Sequence, residues 1–207
     1  VSGQLDVDRM DYLNRDSFYT GVSEGVIGGD RIIKMLEVVN DPNAPGLRSK
    51  LVVEEKAIYS IEKFLVARRL MYWQVYLHKT VVAAECMLQE ALRRAKALAS
   101  EGTVLFASPA LYRFLVEKVD RAAFQQDHTL LRDFLKLDDH DIMGAVKVWM
   151  DHPDPVLSTI CRDLVQRRTY RIRLQDKPWP EARITELKSA VARKLGIPIA
   201  LCDHFVL

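Results

Sequence analysis

The feature that most constrains the fold is a long stretch of helical periodicity in the first half of the chain. Apolar side chains recur three or four residues apart across 55–70, and a second run continues this spacing across 72–99. Side chains at this spacing share one face of an α-helix. One helix of the combined length would be unusual, so we expect a break between Arg69 and Lys79.

Two β-rich segments precede this helical stretch. Residues 34–39 (KMLEVV) and 50–55 (KLVVEE) are rich in apolar and β-branched side chains, which is typical of strands. The segment NDPNAPG at 40–46 lies between them, and its Pro, Asn and Gly residues are typical of a turn. The pattern predicts a β-hairpin.

The second half of the chain begins with helices and ends with predicted strands. Ser108 and Asp154 are each followed by proline, which is the pattern of a helix cap and a first helical residue. Helices are predicted at 108–119, 137–152, 152–168 and 181–196. Strands are predicted at 169–175, where polar and apolar residues alternate, and at 199–207.

These elements predict a mainly α (α+β) fold in two parts. Residues 1–102 form a helical part with the hairpin, and residues 103–207 form a smaller helical region followed by a strand–helix–strand arrangement. The chain begins with Val and ends within a predicted strand. We therefore expect it to be a piece of a longer polypeptide.

Composition argues against several classes of partner. The 30 basic and 28 acidic residues give a net charge of only +2, so we expect no nucleic-acid partner. No apolar run approaches the roughly 20 residues of a membrane helix, so we expect no membrane association. Three scattered cysteines without a CxxC pair are typical of free thiols in a reducing compartment, which predicts a cytoplasmic protein.

The segment DVDRMDYLNRD at 6–16 is predicted to be a helix capped by Ser2 or Asp6. At about 100° per residue, one side of this helix collects most of the polar residues, namely Asp8, Asp11, Tyr12, Arg15 and Asp16. Met10 and Leu13 lie on the other side. Charged residues opposite apolar ones are also typical of ordinary surface helices. The residues alone leave both a solvated face and half of an active site open.

The segment VARRLMYWQVYLHK at 66–79 is a second candidate. If it is helical, two cations and two tyrosines share one face: Arg68, Tyr72, Tyr76 and Lys79. The planar fork of arginine suits phosphate, and an aromatic ring packs on a sugar or a base. The alternative is a tyrosine-rich core helix whose cations extend to solvent.

Together, the pattern DxDRxDYxxRD and the later ARR…Y…YxHK resemble the HD-domain deoxynucleoside triphosphate triphosphohydrolases. The segments SFYTGVSEGVIGGDRII and LDDHDIMGAVKVWMDHPDPVLSTICRDLVQRRTYR are also similar to this family, and the resemblance covers residues 3 to about 173. In the family, an H…HD set and a final aspartate hold a divalent metal. The resemblance implies that residues 1–102 are the C-terminal part of such a domain and that the H…HD motifs precede this chain.

The resemblance also implies roles for individual residues. Asp8 matches the final metal ligand of the catalytic centre. The implied substrate-binding residues are Arg9, Tyr12, Asp16, Arg68 and Tyr76. The arginines among them match phosphate-binding residues, and the tyrosines and Asp16 match residues at the sugar. Tyr72 stands where the human member of the family has a histidine, and it receives no role.

The implied activity is metal-dependent hydrolysis of dNTPs to deoxynucleosides and triphosphate by the full-length protein, with Mg, Mn, Fe or Zn as the cofactor. Two alternatives stay open: an HD hydrolase of another nucleotide phosphate ester, and a non-catalytic helical assembly or regulatory module. Asp8 is a single ligand, so the chain alone is expected to be inactive and to hold no tightly bound metal. Family members are commonly oligomeric, so we expect a homo-oligomer that binds a nucleotide.

Overall fold

The computed structural model describes residues 5–40, 49–173 and 175–206. Within these ranges the chain is mainly helical with one antiparallel pair of strands, which confirms the predicted fold class. The chain divides into two compact units, Val1–Val81 and Val82–Leu207. Each unit has a hydrophobic core of its own. The division into functional domains at 1–102 and 103–207 stays a prediction.

The first unit combines short helices with the hairpin. Its elements are α1 (Val7–Thr20), a 3₁₀ turn (Ser23–Gly25), α2 (Gly29–Lys34), β1 (Leu36–Asn40), β2 (Ser49–Val53), a second 3₁₀ turn (Glu55–Ala57), α3 (Ile58–Met71) and a π-helical turn (Tyr72–Tyr76). The strands pair antiparallel, with Leu36 opposite Val53 and Asn40 opposite Ser49. This pairing confirms the predicted hairpin, whose connecting residues 41–48 lie outside the described residues.

Helix α1 begins at a side-chain cap and ends at a glycine. The carboxylate of Asp6 accepts a hydrogen bond of 2.9 Å from the amide of Arg9, so Asp6 is the cap, while Ser2 lies outside the described residues. The helix ends at Gly21, whose φ of 71° favours glycine. Met10 and Leu13 are buried, as predicted from the helical pattern.

Gly25 allows a close approach between α1 and α3. A Cβ atom at this position would lie 2.8 Å from the Cβ of Ser17 and 2.8 Å from the Sδ of Met71. Ser17 belongs to α1, and Met71 is the last residue of α3. Any larger residue at position 25 would therefore push against both helices.

The predicted break between Arg69 and Lys79 is confirmed. Helix α3 ends at Met71, and α4 (Lys79–Ser100) begins at Lys79. Between them, the amide of Leu77 donates a 2.7 Å hydrogen bond to the carbonyl of Tyr72. This five-residue spacing defines a π turn, a feature that often occurs at functional sites.

The second unit is helical. After α4 it contains α5 (Pro109–Val116), α6 (Arg121–Gln126), α7 (His128–Phe134), α8 (Asp139–Trp149), α9 (Pro155–Val165), α10 (Glu181–Leu195) and a 3₁₀ helix (Ile199–His204). Trp149, Leu157 and Ile160 are fully buried in its core. The indole nitrogen of Trp149 donates to the carbonyl of Phe106 at 3.0 Å, so this large side chain is buried without an unsatisfied donor.

The prediction of two strands near the C-terminus is wrong. The described residues of 169–175 form no regular element, and most of 199–207 is the 3₁₀ helix Ile199–His204. The rings of Tyr170 and Phe205 lie 5.9 Å apart and pack against the core, so the apolar residues of both segments are used for side-chain packing. A strand also needs a hydrogen-bonded neighbour, and none pairs with these segments among the described residues.

The prediction of a cytoplasmic location rests on the cysteines and on the absence of a long apolar segment. Cys86, Cys161 and Cys202 are free thiols, as predicted. Burial raises the pKa of the Cys161 thiol to about 12, so this group is not a nucleophile at neutral pH. None of the described helices combines the length and the apolar composition that crossing a membrane requires. The cytoplasmic location stays a prediction.

A buried ion pair connects α4 to the start of α9. Arg94 Nη2 lies 2.6 Å from Asp154 Oδ2, and Arg94 Nε lies 3.2 Å from each carboxylate oxygen. Asp154 also caps α9, because it accepts from the amide of Leu157 at 2.8 Å. Burial by itself would raise the pKa of Asp154, but the hydrogen bonds from Arg94 and Leu157 outweigh it and hold that pKa below its ordinary value.

We expect Asp154→Ala to lower the free energy of unfolding by about 3–5 kcal/mol, because it leaves the buried Arg94 unpaired and removes a cap. The control is Asp138→Ala, which removes the exposed cap of α8 and should cost about 1 kcal/mol. Urea unfolding followed by circular dichroism measures both losses. Since the folded pKa of Asp154 is lowered, its contribution is present above the ordinary 3.8 and is lost as pH falls through the folded pKa. Equal losses for the two variants would contradict the assignment.

Candidate functional site

Four of the predicted site residues come together at one edge of the first unit: Tyr12, Asp16, Arg68 and Tyr76. Leu13 on α1 and Phe64 and Met71 on α3 are fully buried in the core of this unit. Their burial fixes the rotation of both helices. Tyr12 and Asp16 on α1 and Arg68 on α3 therefore lie at the margin of the core.

A hydrogen bond between Tyr76 and Asp16 connects the π turn to α1. The phenol oxygen of Tyr76 donates to Asp16 Oδ2 at 2.7 Å. Burial raises the pKa of Tyr76, and the hydrogen bond to Asp16 and its negative charge raise it further. Tyr76 therefore stays protonated and acts as a donor across the neutral pH range.

Arg68 is a cation without a carboxylate partner. Its side chain is half-buried, it forms no ion pair with another described residue, and its Nε is buried without a hydrogen-bond partner. The nearby phenol groups, first of Tyr12 and then of Tyr72, raise the pKa of Arg68, so the group remains charged. A buried donor without an acceptor is costly, and an anionic ligand would satisfy both the charge and the donor.

Three tyrosine rings contact one another next to this cation, and one of them lies against it. The ring of Tyr76 makes edge contacts with Tyr12, at a centroid distance of 6.0 Å, and with Tyr72, at 5.2 Å. The guanidinium carbon of Arg68 lies 5.2 Å from the centroid of Tyr72. The family resemblance implies no role for Tyr72, although its spacing of four residues from both Arg68 and Tyr76 places it on the same face.

The other two predicted site residues do not join this cluster. Arg9 Nε lies 3.2 Å from Asp6 Oδ2 at the start of α1. Asp8 is exposed and forms no side-chain hydrogen bond or ion pair with another described residue. The proposed roles of Asp8 and Arg9 stay predictions.

The side chains of the described ranges do not by themselves form a divalent-metal site. Across residues 5–40, 49–173 and 175–206, no group of three or more His, Cys, Asp or Glu residues is placed to hold an ion. Divalent ions need several ligands. The exposed carboxylate of Asp8 fits only as one ligand of a larger set, to which other residues would have to contribute.

Comparisons with known proteins agree with the resemblance at the level of the reaction class. Residues 28–105 match the family model of the HD associated region. The crystal structure of a phosphohydrolase from Bacteroides thetaiotaomicron is 52% identical with a TM-score of 0.91, covering 99% of this chain and 49% of that chain. These findings support an HD-domain phosphohydrolase family.

Curated relatives are longer than this chain. The uncharacterized protein YwfO of Bacillus subtilis is 34% identical over 171 residues, which are 83% of this chain and 36% of that protein. A protein of Dictyostelium discoideum named deoxynucleoside triphosphate triphosphohydrolase SAMHD1 homolog is 31% identical over 91 residues, which are 44% of this chain and 16% of that protein. The chain thus spans a minor part of the length of these relatives.

We expect Asp16→Asn to lower the pH at which Tyr76 ionises, because the variant removes the negative charge that opposes formation of the phenolate. The pKa should stay above the ordinary 10.0, since burial is the larger cause of its rise. Carbon-13 NMR of the tyrosine Cζ atoms measures this titration. Tyr170, whose pKa is raised by burial and the charge of Asp163, serves as the control and should not respond. An unchanged Tyr76 titration would contradict the contact with Asp16.

Proposed function

We propose that the full-length protein is a metal-dependent HD phosphohydrolase that hydrolyses dNTPs to deoxynucleosides and triphosphate. The observation that carries this proposal is the unpaired guanidinium of Arg68, held among tyrosine rings beside the Tyr76–Asp16 hydrogen bond. One side of the cluster offers a cation to phosphate. The other offers hydrogen-bonding groups and aromatic surface to a sugar.

Arg68 is the proposed triphosphate-binding residue. An arginine fork forms two charge-assisted hydrogen bonds to one phosphate, and this arginine has no competing carboxylate among the described residues. Arg9, two turns upstream of Asp16 on α1, is proposed to contribute a second phosphate contact. Asp8 is proposed as one ligand of the divalent metal (Mg, Mn, Fe or Zn).

Tyr12, Asp16 and Tyr76 are the proposed sugar-binding residues. The carboxylate of Asp16 uses Oδ2 to accept from Tyr76, and its Oδ1 lies 3.9 Å from Arg15 Nε, too far for a normal hydrogen bond. Oδ1 is therefore available to accept from a sugar hydroxyl. The tyrosine rings provide apolar surface for the sugar carbons.

The relatives support the reaction class more strongly than they support the substrate. The Bacteroides protein is a phosphohydrolase at 52% identity, which supports the reaction class, and the more distant Dictyostelium protein carries the dNTP substrate in its name. Another nucleotide phosphate ester is the alternative substrate. The incomplete set of metal ligands among the described residues favours a non-catalytic role for this chain taken alone.

We expect Arg68→Ala in the full-length protein to reduce kcat/KM for dNTPs. The loss should correspond to about 2–4 kcal/mol of transition-state stabilisation, which is the contribution of one preorganised donor to developing charge. Arg68→Lys should recover only part of the loss, because a point charge cannot reproduce the fork. Chromatography of released triphosphate across the four dNTPs, with Mg and Mn in turn, measures the effect.

Arg193→Ala is the matched control for this experiment. Arg193 is exposed near the end of α10 and should tolerate the change with little effect on turnover. Near-normal activity of Arg68→Ala would remove Arg68 from the site. If no dNTP yields triphosphate and only inorganic phosphate is released, the result would favour another nucleotide phosphate ester as the substrate.

The full-length protein is also proposed to form homo-oligomers. Helix α3 exposes several large apolar or aromatic side chains, among them Tyr59 and Val66. We expect Val66→Glu to shift the protein towards the monomer in light scattering, with Val104→Glu in the second unit as a control for added charge. A monomer in the wild type at high concentration would contradict this proposal.

A further inference from the structure

The contact that positions Arg68 is unusual for a half-buried arginine. No carboxylate of a described residue lies within ion-pair distance of its guanidinium, whereas Tyr72 lies against it with the guanidinium carbon 5.2 Å from the ring centroid. This distance is within the range of a cation–π contact. The ring of Tyr72 therefore lies next to the guanidinium, where a carboxylate commonly pairs with a buried arginine.

The two kinds of partner use different parts of a guanidinium. A carboxylate binds in the plane of the group and uses its N–H donors, which are also the donors that a phosphate needs. An aromatic ring contacts the face of the cation and uses no N–H donor. The buried Nε of Arg68, which has no hydrogen-bond partner, is consistent with a cation that is held by its face.

Tyr72 is itself fixed on two sides. Its ring meets the edge of Tyr76 at a centroid distance of 5.2 Å, and Tyr76 is bound to Asp16 on α1. Its carbonyl accepts from Leu77 in the π turn at 2.7 Å. Tyr72 as a residue is 37% exposed, so burial in the core does not by itself hold the ring, and the contact with Tyr76 helps to fix it.

We propose that Tyr72 is a positioning residue that holds the guanidinium of Arg68 by the face of its ring and leaves the N–H donors open to a phosphate anion. This inference rests on the proposed function in one respect, namely that Arg68 binds phosphate. The aromatic ring of Tyr72 performs this role, and its hydroxyl group is dispensable for it.

The chain contains a matched control one residue further along. The guanidinium carbon of Arg69 lies 4.5 Å from the centroid of Trp73, with the same spacing of four residues. Trp73 is exposed and has no place in the proposed site. Removing each ring in turn separates the effect of a lost cation–π pair from the effect on Arg68 itself.

The test uses the full-length protein and five variants of it: Tyr72→Phe, Tyr72→Leu, Tyr72→Gln, Trp73→Leu and Arg68→Lys. Nitrogen-15 relaxation of the arginine side chains reports the order of the Arg68 Nε, whose signal is assigned by its loss in Arg68→Lys. Calorimetry with inorganic triphosphate reports anion affinity. Two non-aromatic variants at position 72 allow a comparison if either one is poorly folded, and circular dichroism checks the fold of each.

We expect Tyr72→Leu and Tyr72→Gln to lower the order of Arg68 Nε and to weaken triphosphate binding by about two- to thirty-fold, the range of a cation–π contact. Tyr72→Phe should retain both properties within about two-fold, because the ring remains. Trp73→Leu should release Arg69 and leave Arg68 and triphosphate affinity unchanged.

The outcomes separate the positioning role from the proposed function. An Arg68 Nε that is equally ordered in the wild type and the non-aromatic variants, or a loss in Tyr72→Phe as large as in Tyr72→Leu, would overturn the role of the ring. If the ring controls the order of Arg68 but the wild type binds no triphosphate, the positioning by Tyr72 stands and the assignment of Arg68 to phosphate fails.

Discussion

The packing of α1 against α3 is the constraint on which the candidate site depends. Leu13, Phe64 and Met71 are fully buried between these elements, and burial of each such side chain contributes about 1.5–3 kcal/mol relative to exposure. None of these side chains carries a charge or a hydrogen-bonding group. They nevertheless determine which polar residues meet, because the rotation of each helix follows from the side that it buries. Asp16 on α1 and Tyr76 in the turn after α3 are 60 residues apart in the chain and meet only through this packing.

Arg68 differs from the arginines of this chain that are paired with carboxylates. In the second unit, Arg94 is paired with Asp154, and Arg113 contacts three carboxylates, those of Glu117, Asp127 and Asp133. These pairs connect helices and satisfy the donors of the cation. Arg68 in the first unit has an aromatic contact and a free buried donor instead. A cation left in that state lowers the stability of the unit, and an anionic ligand would satisfy its free donor.

The parts of the structure that depend on local sequence could be predicted, and the parts that depend on distant contacts could not. Asp6, Ser108 and Asp154 cap helices, as predicted, because a cap needs only the amides of the next few residues. The hairpin was predictable because its two strands lie close together in the sequence. The segments 169–175 and 199–207 have the alternation of strands, but pairing requires a neighbour elsewhere in the chain. Among the site residues, Tyr72 has a helical spacing that is visible in the sequence, whereas its contact with Arg68 depends on side-chain placement that spacing alone does not give.

Gly25 has a consequence for the dimensions of the site. It lies against Ser17 and Met71, and these residues directly follow Asp16 and directly precede Tyr72 in the chain. The side chains of Ser17 and Met71 leave no room for a Cβ atom at position 25. A larger residue there would press on the two positions next to Asp16 and Tyr72. The spacing of the candidate site therefore depends on the missing side chain of a residue that lies outside it.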